Sequence, residues 1–256
     1  MGSIGELMNL KGRVALVTGG SRGIGRSIAL ALAEFGADVA LSCEANVHAA
    51  ESVATDIRAM GQRAQVIQAS LGNADGPKRT FDRTIAALGR IDILILNASL
   101  QIPKPWQGIT PEDFEQQVNV NFRASMELMQ LVAPAMQDRK WGRIVTIGSV
   151  QEAKPHPDML VYAATKSAQE SMSRNLAKQL GPFGITVNNI APGVILTDRS
   201  TSRLTSDEYR QKVLNNIPTR TFGQPEDCAG AVVLICSDAG RYINGANLFI
   251  DGGMQL

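Results

Sequence analysis

The sequence predicts an α/β protein: one doubly wound parallel β-sheet with helices on both faces, in a single domain spanning 1–256. Three observations predict it. Apolar, strand-like runs alternate strictly with helix-like ones along the chain. The strand-like runs are apolar almost throughout, which marks strands covered on both faces. No low-complexity linker or internal repeat divides the chain, so one sheet is favoured over two.

The first strand is predicted over 13–18 (Arg-Val-Ala-Leu-Val-Thr). It ends in Gly19-Gly20-Ser21-Arg22-Gly23-Ile24-Gly25, and an Ala/Leu-rich helical stretch follows to Phe35. Strand, glycine turn and helix set backbone N–H groups and a helix N-terminus against a phosphate. Gly19 permits the tight exit, while Gly23 and Gly25 remove the Cβ atoms that would obstruct a pyrophosphate and the helix–sheet contact. The spacing is G-x-x-x-G-x-G, and glycines in a turn are often no more than a turn. Further strands are predicted over 38–43, 63–69, 91–97, 143–149, 186–190 and 247–250, and helices over 47–60, 74–88, 111–139, 159–180 and 225–237. A polar segment, 196–216, precedes the last helix.

Composition narrows the function classes. Hydrophobic residues at 44% and charged ones at 19% describe an ordinary soluble protein, long enough to bury a core without staples. Lys+Arg at 25 against Asp+Glu at 24 gives no field that favours nucleic acid or a membrane surface. Cys43, Cys228 and Cys236 show no C-x-x-C spacing and no clustering with His48 or His156, which predicts a reducing compartment and no structural metal. The N-terminus lacks a charged segment followed by an apolar one, and Glu6 stands where myristoylation of Gly2 needs Ser or Thr. No apolar run approaches the ~20 residues of a membrane span. The expected location is the cytoplasm.

In a doubly wound sheet, ligands sit beyond the carboxyl ends of the strands. Gly19, Cys43, Glu44, Asn97, Ser149 and Pro192-Gly193 fall at those ends, so distant parts of the chain meet on one rim. Tyr162 and Lys166 lie four apart in the helix after Ser149 and share a face. An unperturbed phenol titrates near pH ~10, and bringing it to ~7 needs about 4 kcal/mol in favour of the phenolate. One cation at ~4 Å in a partly shielded site supplies roughly that much. A Tyr–Lys pair alone is more often a solvated helix face; the other motifs give it weight.

Together these residues resemble the short-chain dehydrogenase/reductase family over essentially the whole chain. Its T-G-x-x-x-G-x-G stands at 18–25, its Y-x-x-x-K at Tyr162 and Lys166, and its Ser at Ser149. The family's supporting helix Asn matches Asn121, its P-G matches Pro192-Gly193 followed by Thr197, and its D-G-G matches Asp251-Gly252-Gly253. The resemblance implies a Rossmann-type fold and an NAD(P)-dependent oxidoreductase that interconverts a secondary alcohol and a ketone. It implies a catalytic set of Asn121, Ser149, Tyr162 and Lys166. Tyr162 is the general acid/base, Lys166 tunes it and binds the nicotinamide ribose, Ser149 bonds the reacting oxygen, and Asn121 holds a water between Lys166 and solvent. The implied cofactor-binding residues are Gly19, Ser21, Arg22, Gly23, Ile24, Gly25, Glu44, Leu71, Asn97, Ala98, Pro192, Gly193, Ile195 and Thr197, with Tyr162 and Lys166. Two alternatives stand beside this reading: a 3-oxoacyl-carrier-protein reductase, which the chain also resembles, and a dinucleotide-sensing protein without catalysis.

Four positions depart from the family pattern. Leu96 and Ser99 flank Asn97-Ala98 where the family carries Asn and Gly, which predicts a locally altered loop. Ser70 replaces an adenine-contacting Asp, and Gly148 replaces the Ser that often precedes the catalytic one. Arg22 argues for NADP(H) through a contact with the 2′-phosphate, and Glu44 argues for NAD(H) by repelling that phosphate. NAD(H) is favoured, because a carboxylate facing a dianion has no ready compensation.

Substrate contacts are read at Gln151, His156 and Trp106, although a lone loop His and a Trp between prolines are equally at home on a surface. Glu152 and Lys154 are expected to flank the pocket with Gln151, and Lys104 to border it beside Trp106. The 196–216 segment resembles a substrate lid with charge at Asp198, Arg199 and Arg203. Met126, Met129 and Met136 are read as packing residues. The family's usual assembly implies a homotetramer.

Overall fold

The computed structural model describes residues 3–201, 204 and 206–256. Gly2 and Arg203, both invoked above, lie outside the described residues. In chain order the elements are α1 (Ile4–Leu7), β1 (Val14–Val17), α2 (Gly23–Glu34), β2 (Asp38–Cys43), α3 (Val47–Ala59), β3 (Ala64–Gln68), α4 (Gly76–Leu88) and β4 (Ile93–Leu96). Then follow α5 (Pro111–Val118), α6 (Ala124–Arg139), β5 (Gly142–Ile147), α7 (Leu160–Leu180), β6 (Ile185–Pro192), α8 (Asp198–Thr201), α9 (Asp207–Asn215), α10 (Pro225–Cys236) and β7 (Asn247–Ile250). The strands form one sheet in the order β3-β2-β1-β4-β5-β6-β7, and every neighbouring pair is parallel. The order reverses between β1 and β4, which opens a crevice at the carboxyl edge there.

Strand residues feed two cores by turns. Ala15 and Val17 pack with Ile28 and Leu32 of α2, Val53 of α3 and Val233 of α10. Val14 and Leu16 face the other way, toward Leu88 of α4, Leu128 and Val132 of α6, and Leu180 of α7. Both faces are therefore dry, which is why the strands read as unbroken apolar runs. No helix among the described residues is long and apolar enough to cross a membrane.

Two features differ from the sequence expectation. α1 is four residues long with none buried, too short to show a hydrophobic period; a capping box between Ser3 and Glu6 closes its first turn. The run predicted over 111–139 is interrupted by a π-helical turn at Asn119–Arg123, which contains Asn121. Pro134 sits inside α6 without ending it.

The non-catalytic edge of the sheet is held by one buried carboxylate. Asp92 is 0% exposed, accepts the Val14 amide at 3.0 Å, and takes Arg90 at 2.6 Å and Arg139 at 3.4 Å. Asp92→Ala would leave that amide and the Arg90 guanidinium without their acceptor and take a counter-charge from Arg139, which bonds the Ile91 carbonyl. The expected loss is about 2–4 kcal/mol, read as a lower urea midpoint with an unchanged slope.

Candidate active site

The first turn of α2 is an open donor site. Arg22, its N-cap, is extended and makes no side-chain capping bond, so its own side chain leaves the leading amides open. Gly19 and Gly23 have φ of +66° and +54°, and a Cβ on Gly25 would lie 2.3 Å from the Gly19 carbonyl oxygen. The end of β4 clamps this turn. Asn97 Nδ2 donates to the carbonyls of Thr18 at 2.9 Å and Gly19 at 3.0 Å, while the Thr18 hydroxyl accepts the amides of Asn97 and Ala98. Ser99 keeps out of the left-handed region, and its hydroxyl and carbonyl accept Arg199 at 3.0 and 2.8 Å.

Above the turn lies a cleft of about 1540 Å³, larger than the ~300–1,000 Å³ of a drug-sized pocket. Its walls include Gly19, Glu44, Leu71, Ile195 and Thr197 together with Ser149, Tyr162 and Lys166. Every residue expected to hold the dinucleotide lines it. Open amides, glycines packed against backbone and a cleft of this volume fit an extended diphosphate-linked cofactor.

Lys166 is 1% exposed and Asn121 0%, while Ser149 and Tyr162 keep 8% each. Lys166 Nζ donates to the Ile147 carbonyl at 2.7 Å and to Gln169 Oε1 at 2.9 Å, and lies 5.6 Å from the centre of the Tyr162 ring. Gln169 Nε2 continues to Ser125 Oγ at 2.8 Å, which donates to the Asn121 carbonyl at 2.8 Å. The Asn121 side chain is committed elsewhere: it exchanges two bonds with the Leu100 backbone and donates to Thr165 Oγ1 at 3.0 Å. Burial pulls the Lys166 ammonium down to about 7; the charge of Glu152 opposes this and Arg199 adds to it. Ser149 Oγ accepts the Gln151 amide at 3.2 Å.

The remaining expected site residues divide. Gln151 and His156 line the cleft, joined where the His156 amide donates to Gln151 Oε1 at 2.6 Å. Trp106 does not join them: it opens a 3-10 turn after Pro105, is 67% exposed and lies outside the cleft wall. Lys104 turns to Asp113, and Lys154 to the Met254 carbonyl at 3.0 Å. Glu152, expected at the pocket edge, points inward, where Ser149, Asn189 and Asn247 bond it. Ser70 donates to Glu44 Oε1 at 2.7 Å, which holds that carboxylate on the cleft wall, while Arg22 faces Asp198 at 3.8 Å in the open. Met129 and Met136 are buried in the core and Met126 is exposed. Sequence reasoning passed over Gln169 and Ser125, whose only signal was being polar on the inward face of long helices.

Residues 19–255 match a family model described as enoyl-(acyl carrier protein) reductase. The 3-oxoacyl-(acyl-carrier-protein) reductase of Staphylococcus aureus is 35% identical over 242 residues, 94% of this chain and 98% of that protein. The 7alpha-hydroxysteroid dehydrogenase of Escherichia coli is 37% identical over 246 residues, 96% of this chain and 95% of that protein. Among solved structures, a 3-oxoacyl-(acyl-carrier-protein) reductase from Agrobacterium tumefaciens with NADP bound superposes at a TM-score of 0.93 and 34% identity, covering 98% of this chain and 97% of that one. A 7alpha-hydroxysteroid dehydrogenase complexed with NADH and 7-oxo glycochenodeoxycholic acid does so at 0.93 and 36%, covering 99% and 98%.

Proposed function

The chain belongs to the short-chain dehydrogenase/reductase family and is an NAD(P)-dependent oxidoreductase, and from that premise we propose how its own residues interconvert a secondary alcohol and a ketone. The observation that carries the reading is that Ser149, Tyr162 and Lys166 line the same cleft as the glycine-rich start of α2, whose N-cap side chain makes no capping bond. When bound, the nicotinamide supplies the hydride donor or acceptor. Tyr162 gives its proton to the carbonyl oxygen in reduction and takes one from the alcohol in oxidation. Ser149 Oγ uses a lone pair on the Gln151 amide, which leaves its own proton to donate to the same oxygen. Lys166 spends two donors on Ile147 and Gln169, so the third is left for a ribose hydroxyl beside Tyr162. Asn121 fixes the Leu100 backbone of the cleft wall and the buried Thr165 hydroxyl, and is the proposed holder of a water between Lys166 and solvent.

NAD(H) is the proposed preference, supported by the Glu44 carboxylate held at the adenosine end. Glu44→Ala is expected to move the ratio of kcat/KM values toward NADP(H) by about 10- to 100-fold, since a like charge facing the 2′-phosphate costs several kcal/mol at most. Parallel titrations with both cofactors check this, and an unmoved ratio would assign the preference elsewhere.

The 196–216 segment is proposed as the substrate lid, tied to the loop after β4 by Arg199 and Ser99. Gln151 and His156 are the proposed substrate contacts. The proposed assembly is a cytoplasmic homotetramer of this one domain, with exposed Met126 and Leu248 among the apolar side chains to be covered; sedimentation equilibrium tests it.

A substrate panel with the preferred cofactor tests the whole reading. It should contain free ketones, sugars, hydroxysteroids and an acyl-thioester on a carrier. Turnover of free ketones or alcohols supports the proposed reaction, and exclusive use of the thioester substitutes the carrier-protein reductase. Cofactor binding with no turnover across the panel would sink the enzymatic reading.

A further inference from the structure

Gly148 and Glu152 answer one another. A Cβ on Gly148 would lie 1.9 Å from Glu152 Oε1 and 2.6 Å from Asn189 Nδ2, so the carboxylate sits in the space that only glycine leaves beside Ser149. Four hydrogen bonds hold it there, all from donors. Oε1 accepts the Ser149 amide at 2.9 Å and Asn189 Nδ2 at 3.2 Å, and Oε2 accepts Asn189 Nδ2 at 3.1 Å and Asn247 Nδ2 at 3.0 Å.

The donors are aligned by the sheet. Thr146, Asn189 and Asn247 are register partners on β5, β6 and β7, and therefore form a polar row on one face. The Thr146 hydroxyl donates to Asn189 Oδ1 at 2.6 Å, and Asn189 Nδ2 to Asn247 Oδ1 at 2.9 Å. With both amide oxygens occupied, both NH2 groups turn toward Glu152. A side chain with two acceptor oxygens and no donor is what this row demands.

The segment 147–149 is thereby gripped at each residue. Lys166 takes the Ile147 carbonyl, the Ile190 carbonyl takes the Gly148 amide at 2.6 Å, and Glu152 takes the Ser149 amide. We propose that Glu152 is a positioning residue: seated where Gly148 lacks a side chain and oriented by Asn189 and Asn247, its carboxylate fixes the Ser149 backbone so that the hydroxyl faces the cleft in its reactive pose. This rests on the catalytic reading of Ser149 given above. The buried charge also faces Lys166: burial pushes the Glu152 carboxyl up while its hydrogen bonds and Lys166 pull it down, and Glu152 in turn holds the Lys166 ammonium up.

The test is a double-mutant cycle on Gly148→Ala and Glu152→Ala with Glu152→Gln beside it, measured for kcat, KM, cofactor Kd and thermal midpoint. A misplacement of ~1 Å at a reacting group costs up to about a hundredfold, so Glu152→Ala should lower kcat by about 10- to 100-fold with cofactor Kd held within about twofold. Gly148→Ala should cost a similar factor by displacing the carboxylate, and the pair should cost no more than either alone. Glu152→Gln keeps an acceptor for the Ser149 amide but turns an NH2 on the asparagines, and should fall between wild type and Glu152→Ala. Should the alanine variants not fold, this near-isosteric change carries the test. Wild-type kcat in Glu152→Gln and Glu152→Ala, or losses of the two alanine changes that multiply in the pair, would overturn the proposal. Tyr162→Phe run in parallel keeps its failure apart from failure of the catalytic reading: that variant loses its turnover if the catalytic reading holds, whatever the Glu152 variants do, and keeps it only if that reading fails.

Discussion

Tyr162→Phe is expected to lower kcat by about three orders of magnitude, within the 10²–10⁴-fold range of a positioned general acid or base. The substitution deletes one oxygen from a side chain that is 8% exposed and keeps its volume. The ring that Lys166 Nζ approaches at 5.6 Å remains, so the ammonium keeps that neighbour along with Ile147 and Gln169. Cofactor affinity should therefore change by only a few-fold, and the loss should fall on kcat and kcat/KM alike, the pattern of an interaction made in the transition state. Ser149→Ala removes one donor to the same oxygen and is expected to cost about 10²-fold, less than the proton carrier itself. Steady-state kinetics with a fluorescence titration of the cofactor separate the two effects. Full turnover by Tyr162→Phe would remove the phenol from the mechanism.

The rim of the sheet was legible because it rests on local geometry. Gly19, Gly23 and Gly25 mark a strand–turn–helix with no room for Cβ, and the spacing from Ser149 to Tyr162 and Lys166 runs from a strand end to one helix face. The shared face of Tyr162 and Lys166 follows from the 3.6-residue period, and their grouping with Ser149 from the family resemblance. What was not legible depends on pairing between segments. Glu152 follows a strand end in a 3-10 turn, where no period says which way a side chain points, and its inward direction is set by Asn189 and Asn247 reaching it from strands 37 and 95 positions downstream. Gly148 was the one visible sign, a missing Cβ where the family often has a serine. The π turn at Asn119–Arg123 was hidden for a related reason: the Asn121 side chain bonds the Leu100 backbone, a partner from another loop. Trp106 misled because proximity in sequence to Asn97 does not fix direction across Pro103 and Pro105.

Lys166→Met should abolish useful turnover and at the same time stabilise the cofactor-free protein below neutral pH. The buried ammonium has its pKa brought from 10.5 to about 7, with burial the largest cause. Between those values the unfolded chain holds a proton that the folded chain has released, so wild-type stability rises with pH across that window, by up to about 1.4 kcal/mol per unit and about 5 kcal/mol in total. Below about pH 7 the folded state carries the full burden of a desolvated charge. Met has no such term, but it leaves the Ile147 carbonyl and Gln169 Oε1 without their donor, at about 1–3 kcal/mol each. The variant is therefore expected to be the more stable at pH 6 and to lose that advantage by pH 9 to 10, in urea unfolding of both proteins across the range. A gap that stayed flat with pH would mean that the ammonium is not desolvated in the folded protein. A gap that closes means that the group placed to hold charge beside Tyr162 is one the fold would be more stable without at low pH, a burden that burial imposes and the charge of Glu152 opposes.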